Sequence, residues 1–146
     1  MKIVITGASQ GIGYEIVKKL LSESGHEVFA IARNKEKLSS LRKYELNAKY
    51  HYLAFDLSKE DYQKDLIPAI VKKLGKVDVL LNNAGLLINK PFIELSNKDF
   101  DDLFALNTKS VFKLVRDLFP YFNTNAHIVN ISSMGGFQGS SKFPGL

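Results

Sequence analysis

The sequence contains no cysteine, and that absence removes three chemistries together: a disulfide framework, a cysteine-ligated zinc and a thiol nucleophile. No stretch approaches the roughly 18 consecutive apolar residues of a membrane-spanning helix. The start does not read as a secretory leader, because Met1-Lys2 runs directly into the strand-like Ile3-Val4-Ile5 and then a turn. There is no internal repeat, no linker and no low-complexity tract. The expectation is a cytoplasmic protein with no membrane partner and no metal site. Acid is in deficit, with 15 Asp and Glu against 20 Lys and Arg and a net charge of +5. The lysines are scattered at helix-like spacing beside acids, as at Lys18-Lys19, Lys35, Lys37 and Lys72-Lys73. That is the pattern of solvated helix faces, so no nucleic-acid partner is expected. A positive balance also suits an anionic dinucleotide, although charge alone does not identify one.

What is present is ordinary globular material. The 146 residues are 45% hydrophobic and 24% charged, enough for one domain with a buried core. Strand-length apolar runs alternate with helix-period stretches throughout. The strand expectations are Lys2–Thr6, Glu27–Ala32, Lys49–Phe55 at an edge, Val77–Leu81 and Ala126–Ser132. A helix is expected over Gly11–Ser24, with Ile12, Ile16, Val17, Leu20 and Leu21 on one face. Another should follow an Asn34 cap and run to about Tyr44. Ser58 is read as the cap of a third, which carries Leu66, Ile67, Ile70, Val71 and Leu74 and should kink or start late at Pro68. Ser96 and Asp99 mark the approach to a long helix from about Phe100 to Phe122, with Phe104, Val111, Val115, Leu118 and Phe119 sharing a face. Gly135–Leu146 reads as a Gly/Ser/Pro-rich loop. Strands alternating with helices imply parallel crossovers and an α/β, doubly wound parallel sheet, with ligands bound outside the carboxyl ends of its strands.

The first turn reads Thr6-Gly7-Ala8-Ser9-Gln10-Gly11-Ile12-Gly13. A phosphate needs unpaired N–H groups at a helix N-terminus and a close approach to backbone. Gly7 would make the tight exit from the strand, Gly11 would let backbone reach a pyrophosphate, and Gly13 would allow the helix to pack on the strand. Ser9, Gln10 and Ile12 belong to the same turn. The spacing departs from Gly-x-Gly-x-x-Gly and resembles the Thr-Gly-x-x-x-Gly-x-Gly signature of the short-chain dehydrogenase/reductase family. Four further places match that family. Asp56-Leu57 resembles its adenine contact, the alternative being an aspartate that caps or turns the chain. Asn82-Asn83-Ala84-Gly85 matches its Asn-Asn-Ala-Gly, implying amides that hold the strand end open beside the cofactor ribose. Asn107, expected near the buried arc of the long helix, matches the asparagine whose local backbone holds a water in a proton relay. Ile128-Val129-Asn130-Ile131-Ser132-Ser133 matches the fifth strand, with Ser133 at the catalytic position and Ser132 supporting it.

The resemblance spans the whole chain and implies a Rossmann-like fold, five strands being present of the family's usual seven. It implies an NAD(P)(H)-dependent oxidoreductase that moves hydride between nicotinamide and a small-molecule carbonyl/alcohol substrate. The family's general acid/base, a tyrosine in Tyr-x-x-x-Lys, is not matched. Tyr14 and Lys18 have that spacing but lie on the first helix and are read as coincidence. The expectation is therefore a C-terminally incomplete NAD(P)-binding domain over residues 1–146, without turnover by itself. The alternative is a catalytically inactive NADP-binding sensor or scaffold. At the tip of the second strand, Ala32 fills the place of the acid that would bond a ribose 2′-hydroxyl, and Arg33 follows it. NADP(H) is thus favoured over NAD(H). Surplus apolar residues on the long helix, Leu103, Phe112 and Leu114, point with the resemblance to a homodimer or homotetramer. Phe137, Phe143 and Leu146 hint at an apolar substrate wall.

Overall fold

The computed structural model describes residues 1–59 and 61–139; Phe143 and Leu146, two of the three residues of the expected apolar wall, lie outside them. Among the described residues five parallel strands form one sheet: β1 (Lys2–Thr6), β2 (Glu27–Ala32), β3 (Lys49–Ala54), β4 (Val77–Asn82) and β5 (Phe122–Asn130). Their order is β3-β2-β1-β4-β5. The chain winds outward from β1 to β3, then returns across the sheet and winds the other way through β4 and β5. β1 and β4 are therefore the neighbours at which the winding reverses, and a crevice is left above their carboxyl ends.

Alternation along the strands feeds two cores. Ile5, Val28, Ala30 and Tyr50 face α1 (Gly11–Ser22) and α2 (Lys35–Ser40). Val4, Phe29, Ile31 and Leu80 face α3 (Ile67–Leu74) and α5 (Ser110–Leu118). β3 is an edge, as its mixed polarity predicts. β5 is the other edge, and Ile128, Val129 and Ile131 stay exposed there. β5 begins earlier than expected and stops at Asn130; the pairing nevertheless continues one step, because Ile131 N–H donates to Asn82 O at 2.8 Å.

The helices correct several expectations. α1 presents Gly13, Val17 and Leu21 to the sheet, whereas Ile12 is exposed. The rotation is set by Gly13, the one position on that helix that can lie against the β1 turn. Asn34 caps α2 by accepting from Lys37 N–H at 2.8 Å, and a 3-10 turn continues it over Leu41–Tyr44. Ser58 is not the next cap, because it is bonded back to Asp56. Asp61 takes that role, accepting from the N–H groups of Gln63 and Lys64. A π turn over Tyr62–Leu66 precedes α3, so Pro68 falls in its first turn, where the missing N–H costs nothing.

The expected long helix is α4 (Asn97–Phe104), a π turn (Ala105–Lys109) and α5 in succession. Ser96 and Asp99 form a reciprocal capping box at its start. A π turn inserts one residue and shifts every later side chain around the axis, so one helical period cannot describe both halves. Leu114 and Leu118 are consequently buried, while Phe104 and Phe119 are exposed together with Phe100 and Phe112. The helix gives way after Leu118 to a 3-10 turn containing Pro120, and Phe122 already belongs to β5. A short α6 (Met134–Gln138) lies where a loop was expected. No helix among the described residues is long and apolar enough to cross a membrane.

Candidate functional site

The strand ends at the reversal point are tied by Thr6. Its buried hydroxyl accepts from both Asn83 N–H and Ala84 N–H, each at 3.0 Å. The Asn83 amide completes the tie by donating to Thr6 O at 3.0 Å and Gly7 O at 3.3 Å. Asn83 therefore fastens the glycine-rich turn to the end of β4. Asn82 is buried and donates to the Asn130 side chain at 2.9 Å, which locks β4 to β5.

Above this tie the glycines divide the work. Gly7 has φ +68° with Ala84 packed directly beneath it, so neither a side chain nor an ordinary backbone angle fits. A Cβ on Gly13 would stand 2.5 Å from Gly7 O and closer still to Asn83 Nδ2. Gly11 differs: φ is +57° and a Cβ there would meet nothing within 4 Å. The space over Gly11 is thus open to a ligand, and it lies at the N-terminus of α1, where the first N–H groups lack helical partners.

A cleft of about 820 Å³ opens there. It is lined by Gly7, Ser9, Gln10, Gly11 and Ile12 from the turn, Arg33 from the β2 tip, Asp56 and Leu57 after β3, and Asn83, Ala84 and Gly85 after β4. The cofactor residues read from sequence, Gly13 excepted, share this one surface; Gly13 lies beneath it. Residues that the motifs did not single out also line it: Phe55, Ser58, Lys59, Leu86, Lys98, Asp102 and Leu106, with Lys37 on the Arg33 side. Thr6 was likewise visible only as a signature letter. A hydroxyl residue at the buried end of an apolar strand is the signal that could have exposed its role.

Asp56 closes a turn. Its Oδ1 accepts from Ser58 N–H at 3.0 Å and from the Ser58 hydroxyl at 2.6 Å. Burial works to raise its pKa, but these bonds, with the charges of Lys59 and Arg33, hold the carboxyl below the usual range. It is an anion in the cleft wall at neutral pH.

Asn107 sits in the π turn, exposed and not in the expected buried arc. Its side chain is fully engaged all the same, accepting from Leu86 N–H at 2.8 Å and donating to Leu86 O at 2.9 Å. It thereby holds the loop after β4 against the helix. Ser133 is exposed and caps α6, its Oγ accepting from Gly135 N–H at 3.1 Å. Neither Asn107 nor Ser133 lines the cleft; Leu86 and Ile131, which do, connect them to it.

The Tyr14 and Lys18 pair has no part in the site. Tyr14 packs edge-on against Tyr44 with ring centroids 6.4 Å apart, and Lys18 pairs with Glu15 at 3.2 Å. The hydrogen bond with Tyr44 raises the Tyr14 pKa, the reverse of what an adjacent cation does for a proton-transferring phenol. Among the described residues no tyrosine lines the cleft.

Residues 1–145 match the family model described as short chain dehydrogenase. The chain is 33% identical over 141 residues to a 3-oxoacyl-[acyl-carrier-protein] reductase of Thermotoga maritima, with 94% of this chain and 57% of that protein covered. It is 33% identical over 144 residues to an NADPH-dependent pterin aldehyde reductase of Arabidopsis thaliana, with 95% and 59% covered. A solved 3-ketoacyl-(acyl-carrier-protein) reductase from Brucella melitensis, complexed with NADH, superposes with a TM-score of 0.85 at 28% identity, over 99% of this chain and 62% of that one. The chain thus spans less than two thirds of the length of each of these proteins.

Proposed function

The chain belongs to the short-chain dehydrogenase family, and from that premise we propose that it binds NADP(H) in preference to NAD(H) for hydride transfer between nicotinamide and a small-molecule carbonyl/alcohol substrate, in a cytoplasmic setting. The observation that carries this reading is the cleft over the β1–β4 crevice, open at Gly11 and bordered at the β2 tip by Arg33, with Ala32 rather than an acid before it. When bound, the dinucleotide supplies the hydride. The chain's own residues supply its seat. The turn from Ser9 to Gly13 offers backbone N–H groups to the pyrophosphate. Leu57 and Leu106 give apolar wall, and the Asp56 carboxylate in that wall is the acceptor for an adenine amino group. Arg33 meets the ribose, where Ala32 leaves no carboxylate to repel a 2′-phosphate.

Ser133 takes the substrate oxygen. Its Oγ accepts from Gly135 N–H and keeps its own O–H to donate, which would stabilise negative charge on that oxygen during reduction. Asn107 acts through position, because both ends of its amide are committed to Leu86 and the π turn around it interrupts the regular pairing of helical carbonyls. No phenol stands at the cleft among the described residues, so the 146 residues by themselves are read as a cofactor-binding unit without turnover at family rates. The deciding experiment is calorimetric titration of the chain with NADP and NAD, native and Arg33→Ala. Tighter binding of NADP, with the difference diminished in the variant, supports the reading; equal affinities overturn it.

The exposed Phe100, Phe104, Phe112 and Phe119 of α4, α5 and the turn beyond favour association through these helices as a homodimer or homotetramer. Sedimentation at micromolar concentration should show a species heavier than the monomer. Phe112→Lys should shift it toward monomer, and a monodisperse native monomer would refute the proposal.

A further inference from the structure

The end of the cleft that Arg33 borders carries more positive charge than one guanidinium. Lys59 lines the same cleft from the turn after β3, an element separate from the β2 tip that carries Arg33. β2 and β3 are paired in register, with Ala32 opposite Ala54, so the two exit turns leave the sheet side by side. Lys59 N–H donates to Asp56 O at 3.2 Å, which closes the turn and returns Lys59 toward the cleft. Its ammonium stands 3.9 Å from Asp56 Oδ2, and the Lys59 side chain is 77% exposed. Lys59 and Arg33 both help to hold the Asp56 carboxyl below its usual range. A pair so long and so exposed contributes little and restrains little. Asp56, by contrast, is anchored through Ser58. The ammonium can therefore swing to a second anion at small cost.

Resting on the reading that this cleft takes NADP(H), we propose that Lys59 is a specificity-determining residue that grips the 2′-phosphate from the β3 side while Arg33 grips it from the β2 side. A phosphate monoester carries close to two negative charges and three acceptor oxygens at neutral pH. One guanidinium satisfies two of those oxygens in a planar fork, and a mobile point charge suits the third. The same ammonium has no comparable partner on the 2′-hydroxyl of NAD, so its effect falls on NADP alone.

The test is calorimetric titration of the 146-residue chain with NADP, NAD and 2′,5′-ADP, for the native protein and for Lys59→Gln, Lys59→Arg, Arg33→Ala and Lys35→Gln. Lys35 is exposed and does not line the cleft, so its variant reports the loss of one positive charge elsewhere. Lys59→Gln should weaken NADP and 2′,5′-ADP about threefold to tenfold, the range for a charge-assisted contact discounted for exposure. NAD should change by less than about twofold, Lys59→Arg should retain the preference, and Lys35→Gln should leave it intact. A native chain without preference for NADP overturns the cofactor reading and this proposal with it. A native preference that survives Lys59→Gln in full overturns the role of Lys59 and leaves the cofactor reading standing. Equal losses for NADP and NAD, or an equal loss in Lys35→Gln, also overturn it, because the effect would then be one of overall fold or field.

Discussion

A single methyl group added at Gly13 tests the architecture of the site most directly. The new Cβ would lie 2.5 Å from Gly7 O, about 0.9 Å inside the 3.4 Å at which ordinary contact begins. Gly7 O belongs to a turn whose φ is +68° and which rests on Ala84, so it cannot retreat downward. The other obstacle, Asn83 Nδ2, is held by its bonds to Thr6 O and Gly7 O. Either α1 lifts by nearly an ångström, or Asn83 releases both bonds and the Gly7 turn distorts as well. Overpacking of this kind costs about 1–3 kcal/mol, and each lost hydrogen bond about 1 kcal/mol more. Gly13→Ala should therefore destabilise the chain by about 2–5 kcal/mol, with Gly13→Val at or above the upper end. Against a typical total of about 5–15 kcal/mol, the alanine variant should still fold. Its phosphate cradle would nevertheless be displaced, and dinucleotide binding should be lost in both variants. Urea denaturation followed by circular dichroism gives the first quantity and calorimetric titration with NADP the second. Gly136→Ala, where a Cβ meets nothing within 4 Å, is the matched control and should leave both unchanged. A Gly13→Ala protein within about 0.5 kcal/mol of native, binding NADP normally, would show that α1 does not rest on the Gly7 turn.

Thr6→Val keeps the shape of the side chain but removes the acceptor shared by Asn83 N–H and Ala84 N–H. At about 1–3 kcal/mol for each donor left unsatisfied, the expected loss is about 2–6 kcal/mol, with faster hydrogen exchange at those two amides; unchanged exchange would refute the tie. Acid should also lower the stability of the chain. Asp78 is held below the usual carboxylate range by Lys2 N–H, Asp99 by Lys90 and Asp117 by Arg116, while at Asp56 the Ser58 bonds outweigh burial. Each folded-state pKa lies below the unfolded one, so this stability is complete above about pH 5 and is lost as pH falls through about 4 toward the folded values. A urea midpoint that stays constant from pH 7 to pH 3 would contradict it.

Much of the fold was legible because its signals are local. β1 and β2 read as runs of apolar residues that both faces of the sheet bury, and their limits are as expected. The Asn34 cap and the Ser96–Asp99 box involve residues three apart, within reach of any window. The π turn at Asn107 was not legible, since an inserted residue leaves no mark on composition and displaces the pattern only beyond itself. That displacement is why Leu114, beyond the turn, is buried in the core while Phe112 faces outward. Ser58 and Asp61 both suit a cap, and Asp56, itself a strong acceptor two residues before Ser58, decided between them. At the site, the residues of the glycine turn declare themselves by type and spacing. Thr6, Lys59 and Leu106 do not, because their place depends on which strand ends and turns the sheet brings together.

The tie made by Thr6 and Asn83 also bears on how a ligand arrives. The floor of the crevice is tied by bonds between protein groups, three of them 3.0 Å long. A seat that is already in place has little ordering entropy left to lose on occupation. Encounter should then be governed by diffusion and by the positive field at the cleft mouth, with departure setting differences in affinity. Seen kinetically, the threonine at the end of β1 is a device for having the receptor finished in advance.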